Sequence, residues 1–364
     1  MPGNRFHTGA PTPQSLVKIA IIEKYFGAWS GVLTRGTSGA ICYADLYAGE
    51  GQYGDGTPSI PLRVLSIALA DDQRRERVLT FFNDADAPVS RALEQNIRGF
   101  PSVDELSHPP VVRNYEVGRD DAELLRELPD VPTLTLLDPT GYAGLSLGLV
   151  DRLTTGFGCE CIIFFNYNQI NRWLTTPDQR HRMAALFGED CFAVLTERVR
   201  GLSGAEREQA IVQAMKDALR DSGTQFVMEF RFRNEQGTRT SHYIIHACKH
   251  VKGHEKMKEE MRRQSTDTGG GVGTFEFCHS QVGQMRFDEP ADYLGPQLLA
   301  SFAGRTLRVQ EVYDEHHPNR PFVRSDYKNA LKRLLADGQV TCDRPGRRMR
   351  RNTMPDDAII TFPG

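Results

Sequence analysis

The chain has 364 residues, of which 39% are hydrophobic and 25% are charged, and its formal net charge is -3. This composition is that of an ordinary soluble globular protein and excludes a protein that is basic throughout. The length predicts one large domain with a smaller one, or two domains of similar size. No apolar run approaches the roughly 20 residues of a membrane span, and the polar start is not a signal peptide, so we expect a cytoplasmic location without membrane contact.

The metal-binding residue types do not form a recognisable site in the sequence. The seven cysteines are scattered and include no C-x-x-C pair, which fits a reduced compartment and argues against a structural zinc. Cys278 and His279 form an isolated pair. His242, His246 and His250 recur every four residues, but in a β-branched segment that predicts a strand rather than a helix. We therefore expect no metal.

Strands and helices alternate over the first two thirds of the chain. An amphipathic helix with Ser15 as its N-cap precedes a buried strand, AICYADLYAG, and four more strands follow, the last being CECIIFFNYN. Apolar runs such as LTLL and IIFF are typical of parallel strands that are buried on both faces. QFVMEFRFRNEQGTRTSHYIIHACKH then predicts an antiparallel hairpin. The expected fold is α/β, with a Rossmann-like sheet of parallel strands completed by that hairpin.

The pattern changes near Glu289. Three short helices followed by two strands around an arginine-rich loop predict a winged-helix domain. Between Arg305 and Arg351 the sequence has twelve lysines and arginines against six acids, a local excess that suits contact with phosphates. The predicted divisions are a loose N-terminus at 1–14, a sheet domain at 15–265, a Gly-rich linker at 266–288 and the winged helix at 289–364.

The stretch DLYAGEGQYGDGTPSIP contains a literal G-x-G-x-x-G at Gly49, Gly51 and Gly54. A dinucleotide site requires these glycines to open directly into a helix, with an acid roughly 20 residues later. Here two prolines and a further glycine delay the helix, and Asp84 and Asp86 come too late. A simple turn without a ligand is the other alternative, because glycines mark turns more often than ligands.

The same stretch fits an S-adenosylmethionine (AdoMet) site better. Class I methyltransferases place an acid at the end of the first strand and small residues in the next turn, so that the backbone can approach the methionine portion. The matching residues are Asp45, Tyr47, Ala48, Gly49 and Gly51. We expect Asp84 to accept hydrogen bonds from the ribose hydroxyls and Asp120 to lie near the adenine. Lys18 is a further candidate for cofactor binding, because it lies in the first helix, which can cross the mouth of the cofactor site.

The fourth strand ends in Asp138-Pro139-Thr140-Gly141. Methyltransferases that act on exocyclic amines of bases carry D/N-P-P-Y, or a variant such as D-P-F-G, at this position. An amine conjugated to a ring is a poor nucleophile, and a carboxylate that accepts its N–H bond beside a rigid turn can assist it. Asp138 and Pro139 are therefore candidate catalytic residues, and Tyr142 is the candidate for stacking on the base. The alternative is that Asp138 caps a β-turn.

The chain resembles the three-Cys-motif partner family of methyltransferase-like proteins over roughly residues 15–262. The resemblance rests on SLVKIAIIEKYFGAW, DLYAGEG with SIPLRVL, FFNDAD, DPTGYAG, LFGED and HYIIHACKHVKGHEKMKEEM. The chain lacks the phenylalanine of D-P-F-G and carries Asn83-Asp84 where the family favours glutamate. The resemblance implies AdoMet as the cofactor and a radical-type three-Cys-motif neighbour protein as a partner.

Together these features predict an AdoMet-dependent methyltransferase that N-methylates a base of DNA or RNA. The winged helix would hold the nucleic acid through phosphate contacts. The residues expected to make them are Lys328, Lys332, Arg333, Arg347, Arg348, Arg350 and Arg351. Two alternatives remain open: an AdoMet-binding or catalytically inactive nucleic-acid-binding or defence partner protein, and a methyltransferase for a small molecule or a protein.

Overall fold

The computed structural model describes seven stretches of the chain. They are residues 9–139, 141–142, 144–266, 275–281, 290–318, 320–344 and 353–364. Thr140 and most of the linker predicted at 266–288 lie outside the described residues. So do the wing residues Arg347, Arg348, Arg350 and Arg351.

Eight strands form one sheet in the order β3-β2-β1-β4-β5-β7-β6-β8. The strands are β1 (Ile41–Asp45), β2 (Val78–Asn83), β3 (Val111–Arg113), β4 (Thr133–Leu137), β5 (Glu160–Phe165), β6 (Phe226–Arg233), β7 (Thr240–Cys248) and β8 (Glu276–Phe277). The first five pair in parallel, whereas β7 is antiparallel to both β5 and β6. This arrangement confirms the predicted Rossmann-like class I methyltransferase sheet. The short β8, which pairs in parallel with β6, lies within the predicted linker.

Helices cover both faces of this sheet. They are α1 (Pro13–Gly36), α2 (Ile60–Ala68), α3 (Asp72–Arg77), α4 (Ala87–Arg98), α5 (Asp121–Glu127), α6 (Leu147–Leu153), α7 (Tyr167–Trp173), α8 (Arg180–Phe187), α9 (Glu189–Arg198), α10 (Gly204–Asp221) and α11 (Val251–Gln264). One apolar core lies under α1, α2, α4 and α11, and the other under α5 to α10. Both faces of β1 and β4 are buried, which explains their continuous apolar sequences. Helix α1 begins earlier than predicted, because Thr12, and not Ser15, is its N-cap.

The C-terminal residues form a separate core with winged-helix architecture. Its elements are α12 (Pro290–Ser301), β9 (Thr306–Arg308), α13 (Val309–His316), α14 (Arg324–Ala336), β10 (Thr341–Asp343) and β11 (Ile359–Thr361). The strands form an antiparallel sheet in the order β10-β11-β9, so the domain has one strand more than the sequence predicts. Apolar side chains from α12, α13 and α14 pack against this small sheet.

Helix α11 joins the two domains through buried and half-buried polar contacts. Lys258 is fully buried and donates to the backbone oxygen of His317 at 2.8 Å, and Glu255 accepts from Arg324 at 2.8 Å. Burial lowers the pKa of Lys258 to about 7. Among the described residues, no helix is both long enough and apolar enough to cross a membrane.

Two glycines allow the loops after β3 and β4 to cross. Gly144 has φ 83°, and a Cβ atom on it would lie 1.6 Å from the backbone oxygen of Val117. A Cβ on Gly118 would lie 2.3 Å from the Cα of Gly144. Any side chain at these positions would therefore force the two loops apart.

The Gly144→Ala change tests this crossing. We expect it to lower the free energy of unfolding by at least about 2 kcal/mol, because it adds a backbone clash to an unfavourable φ. Gly148→Ala is the matched control, since a Cβ there meets no atom within 4 Å and should stay within about 1 kcal/mol of wild type. Denaturant unfolding measures both variants, and equal stabilities would contradict the close approach.

Candidate active site

Polar and aromatic side chains meet at the edge of the sheet where the parallel strands end. Asp45 ends β1, Asn83 ends β2, and Asp138 directly follows β4. Phe164 lies near the end of β5, while His242 lies near the start of β7 and reaches the same edge because that strand runs antiparallel. The strand order reverses between β1 and β4, and ligands of open α/β sheets bind at such a reversal.

Asp45 is buried in this edge. It is 2% exposed, and its carboxylate accepts a hydrogen bond from the backbone N–H of Tyr47 at 3.1 Å. Burial raises the pKa of Asp45 to about 8, with a further contribution from the charges of Asp138 and Asp84, while the Tyr47 N–H and Lys18 act in the opposite direction. The carboxyl group therefore holds a proton at neutral pH, and a nearby cation would favour its release.

The glycine loop after β1 has one open backbone position and one packed position. Gly49 has φ 66°, and a Cβ on it would meet no atom within 4 Å. Gly51 has φ 89°, and a Cβ on it would lie 2.8 Å from Leu93 of α4. Helix α2 begins only at Ile60, as the prolines predict, so the glycines do not open directly into a helix. The open backbone at Gly49 can be approached closely by a ligand.

Asn83 ties the ends of three strands together. Its side-chain amide nitrogen donates to the backbone oxygens of Leu46 at 3.1 Å and Tyr115 at 3.0 Å, and its oxygen accepts from the Tyr115 N–H at 2.7 Å. The residue is fully buried. Sequence reasoning missed this role, although an asparagine at the end of an apolar strand was a signal. The next residue, Asp84, accepts from the backbone N–H of Gly49 at 3.1 Å and so links the second strand to the glycine loop.

Two acids follow β3. Asp120 accepts from the backbone N–H of Glu116 at 2.8 Å and from Arg119 at 3.0 Å, and the Arg119 guanidinium is the main cause of its lowered pKa. Asp121 accepts from the N–H of Gly118 at 2.6 Å. Beside them is a cavity of about 390 Å³ whose lining includes Asp121 and Gly118 but not Asp120.

Asp138 pairs with Lys18 of α1. The Lys18 ammonium donates to the Asp138 carboxylate at 2.6 Å, and both side chains remain partly exposed, at 17% and 26%. Burial acts to lower the pKa of Lys18, but its acidic neighbours, chiefly Asp138, together outweigh it and the net pKa is raised. The structure thus brings together two residues that the sequence assigned to different roles. Pro139, the next residue, is buried.

Three aromatic rings lie in a row beside this ion pair. The rings of Phe232 and His242 are stacked, with centroids 4.4 Å apart and an interplanar angle of 17°. The rings of His242 and Phe164 are tilted by 37°, with centroids 4.6 Å apart. The Lys18 ammonium lies over the Phe164 ring at 5.0 Å. Burial, followed by the charge of Lys18, lowers the pKa of His242 to about 3, so the imidazole is neutral at physiological pH. We call Phe232, His242 and Phe164 the aromatic column.

Tyr142 is held inside the protein. It is 1% exposed, and its hydroxyl donates to the backbone oxygen of Phe164 at 3.1 Å and accepts from the N–H of Asn166. Its ring meets the edge of Trp173 with centroids 6.4 Å apart. These contacts tie the loop after β4 to the end of β5.

A buried cluster of potential metal ligands lies at the start of β5 and the end of β7. Oxygen, nitrogen and sulfur atoms of Glu160, His246 and Cys248 lie within 4.8 Å of one another. Glu160 already accepts hydrogen bonds from His246 at 2.8 Å and from the hydroxyl of Tyr25. The Glu160 carboxylate thus already has two partners, whereas Nδ1 of His246 has no hydrogen-bond partner among the described residues.

The basic residues of α14 differ in their surroundings. Lys328 pairs with Asp356 at 3.0 Å, whereas the Lys332 ammonium lies 3.5 Å from the side-chain oxygen of Asn329. Arg333 is exposed. Helix α14 thus presents positive charge, part of which an acid balances.

Comparison with known proteins identifies the C-terminal part of the chain. Residues 275–347 match the family model of the GMT-like wHTH (winged helix-turn-helix) domain. No curated protein sequence matches the chain. The resemblance to the three-Cys-motif partner family is not confirmed by these comparisons and stays a prediction.

Three solved structures illustrate the similarity of the sheet domain. The methyltransferase domain of bacterial CtHen1-C is 10% identical, with 63% of this chain and 98% of that chain covered and a TM-score of 0.34. A SAM-dependent methyltransferase from Agrobacterium tumefaciens is 8% identical, with 66% and 63% covered and a TM-score of 0.37. The human methyltransferase 10 domain containing protein is 12% identical, with 66% and 86% covered and a TM-score of 0.35. At these scores the fold assignment depends on the strand order itself.

The change Asn83→Asp tests the junction of the three strand ends. It replaces a donor to two carbonyl groups by a buried carboxylate, so we expect a loss of about 3 kcal/mol in the free energy of unfolding. Asn114→Asp is the matched control, because Asn114 is exposed and donates to the Asp84 backbone oxygen. Denaturant unfolding of both variants measures the difference, and equal losses would contradict the role of Asn83.

Proposed function

We propose that the protein is an AdoMet-dependent methyltransferase that methylates an exocyclic amine of a nucleic-acid base. The observation that carries the proposal is the pair of strand-end carboxylates, Asp45 and Asp138, on the two sides of the reversal in strand order, together with the open backbone at Gly49. One carboxylate belongs to the half of the site with the glycine loop. The other belongs to the half with the aromatic column.

The residues present fit AdoMet. The position that a Cβ would take at Gly49 is open, which leaves space for the methionine end, and Asp84 follows β2 where it can accept from the ribose hydroxyls. The loop of Asp120 and Asp121, with its cavity of about 390 Å³, offers space for the adenine. The hydroxyl of Tyr47 is buried and has no hydrogen-bond partner among the described residues, and the cofactor would supply one. When bound, AdoMet supplies an electrophilic methyl group.

Asp138 provides the chemistry on the acceptor side. Its carboxylate can accept a hydrogen bond from an N–H group of the acceptor amine, which increases the electron density on the nitrogen. It can also take the proton that the nitrogen loses as the N–C bond forms. Pro139 restricts the backbone that carries this carboxylate. Tyr142 positions the same loop through its bonds to the end of β5.

The winged helix supports a nucleic acid as the substrate. Helix α14 presents Lys332 and Arg333, and the sequence between β10 and β11 adds Arg347, Arg348, Arg350 and Arg351. Such residues bind phosphates without reading the base sequence. The assays that test the proposal also distinguish its alternatives. A catalytically inactive partner protein would transfer no methyl group, and a methyltransferase for a small molecule or a protein would not methylate nucleic acid.

The Asp138→Ala change tests the acceptor chemistry. We expect methyl transfer to fall by about 100-fold or more, with cofactor binding retained, because the carboxylate acts on the amine and the glycine loop stays intact. Transfer of a labelled methyl group to pools of DNA, RNA and protein, with calorimetry of S-adenosylhomocysteine binding, measures the two effects.

The control for this change is Asp130→Ala, an exposed acid just before β4 at the opposite edge of the sheet. It should leave both transfer and binding unchanged. Full activity of Asp138→Ala would show that the amine-activating role is wrong. No heat of binding for the wild-type chain with AdoMet or its demethylated product would remove the whole proposal.

A pH dependence of cofactor binding follows from Asp45. Its pKa of about 8 means that the carboxyl group is neutral below that pH and ionised above it. Because AdoMet is a cation, it favours the ionised form, so its affinity should rise between pH 6 and pH 8 by up to about tenfold per unit. Calorimetry in two buffers of different ionisation enthalpy would detect the released proton. In Asp45→Asn the affinity should be nearly independent of pH, and an unchanged pH profile would assign the effect to another group.

A further inference from the structure

The aromatic column has one buried end and one end at the site. Phe232 is fully buried, whereas His242 and Phe164 are half-buried. The Lys18 ammonium covers the outer face of Phe164 at 5.0 Å, and the same ammonium bonds Asp138 at 2.6 Å. The Lys18 ammonium therefore covers both the outer face of the column and the Asp138 carboxylate.

A planar ring is the ligand that such a surface suits. Stacked rings with neutral neighbours bind a further ring by π-stacking, which tolerates any base because every base has a π face. A ring placed on Phe164 would have its edge beside Asp138, since Lys18 contacts both residues from one position. The neutral state of His242 means that the column carries no positive charge that would oppose a cationic transition state.

We propose that the aromatic column is the acceptor subsite, where a base replaces the Lys18 ammonium on the outer face of Phe164 and directs its exocyclic amine to Asp138. The inference rests on the proposed function and specifies its substrate as an unpaired base. A base inside a duplex has both faces stacked and its exocyclic amine engaged in pairing, so it must be single-stranded or flipped out to lie on Phe164.

Displacement of Lys18 couples this subsite to the cofactor. The Lys18 ammonium bonds Asp138 at 2.6 Å, and Asp138 directly follows β4, which pairs with β1, the strand that leads into the glycine loop. The carboxylate of the cofactor's methionine portion gives the ammonium an alternative partner. Binding of cofactor then uncovers the column, and by reciprocity the base strengthens cofactor binding.

The test measures binding of fluorescein-labelled single-stranded oligonucleotides of dA, dC, dG and dT by anisotropy, with and without S-adenosylhomocysteine. Wild type should bind more tightly when S-adenosylhomocysteine is present, and less tightly to dT, which has no exocyclic amine. Phe164→Leu should weaken binding by about tenfold, whereas Phe164→Trp, which keeps a stacking face, should not. Binding of Phe164→Leu at wild-type affinity would overturn the inference.

Variants of two lysines on α1 test whether the Lys18 ammonium blocks the outer face of Phe164. Lys18→Met should bind oligonucleotides tightly without S-adenosylhomocysteine, so that the cofactor no longer adds affinity. Lys24→Met is the matched control, because Lys24 is exposed on the same helix and should retain the wild-type cofactor effect. A cofactor effect that persists in Lys18→Met would overturn the coupling.

The outcomes separate this inference from the proposed function. If the wild-type chain transfers methyl groups and Phe164→Leu does so with an unchanged KM for the nucleic acid, the acceptor subsite is wrong while the function stands. If wild type binds neither AdoMet nor S-adenosylhomocysteine, the proposed function fails first. Loss of S-adenosylhomocysteine binding in Phe164→Leu would show that the ring is structural, and this also overturns the subsite.

Discussion

The position of α1 on the sheet is the constraint on which the candidate site depends. Tyr25, about two helical turns after Lys18, donates to the carboxylate of Glu160, which also accepts from His246 at 2.8 Å. Glu160 is 4% exposed, and a buried carboxylate is tolerated only where hydrogen bonds or a partner charge satisfy it. This network fixes α1 against β5 and β7. Lys18, on the same helix, consequently reaches Asp138 and Phe164.

The site has different properties on its two sides. On the side of β1 and β2, backbone groups and carboxylates dominate: Asp45, Asp84 and the N–H groups of the glycine loop. Asp45 is protonated at neutral pH because its burial and the neighbouring acids disfavour a further negative charge. Such a surface favours a cationic ligand with many polar atoms. Lys18, which bonds Asp138, lies where this polar side meets the aromatic one.

The sequence predicted the strand ends well and the contacts between them poorly. Asp45, Asp84 and Asp138 can be picked out because each comes at or just after the end of a short apolar run, and such a run is a local pattern that the sequence itself displays. The pairing of Lys18 with Asp138 depends on the packing of a helix on a strand that is distant in the chain, and no periodicity encodes it. Strand β8 was missed for a similar reason: two residues, Glu276 and Phe277, are too few to show a pattern and are held by pairing with β6.

The aromatic column could not be predicted from the sequence, because it depends on the pairing register of β5, β6 and β7. Phe232 and His242 lie opposite each other in the β6–β7 ladder, and β7 lies beside β5, which carries Phe164. A shift of one residue in either ladder would turn a ring to the other face of the sheet. The antiparallel direction of β7 also matters, because it brings the start of that strand to the edge where β4 and β5 end. The hairpin that distinguishes this sheet from a purely parallel one therefore supplies two of the three rings of the aromatic column, Phe232 and His242.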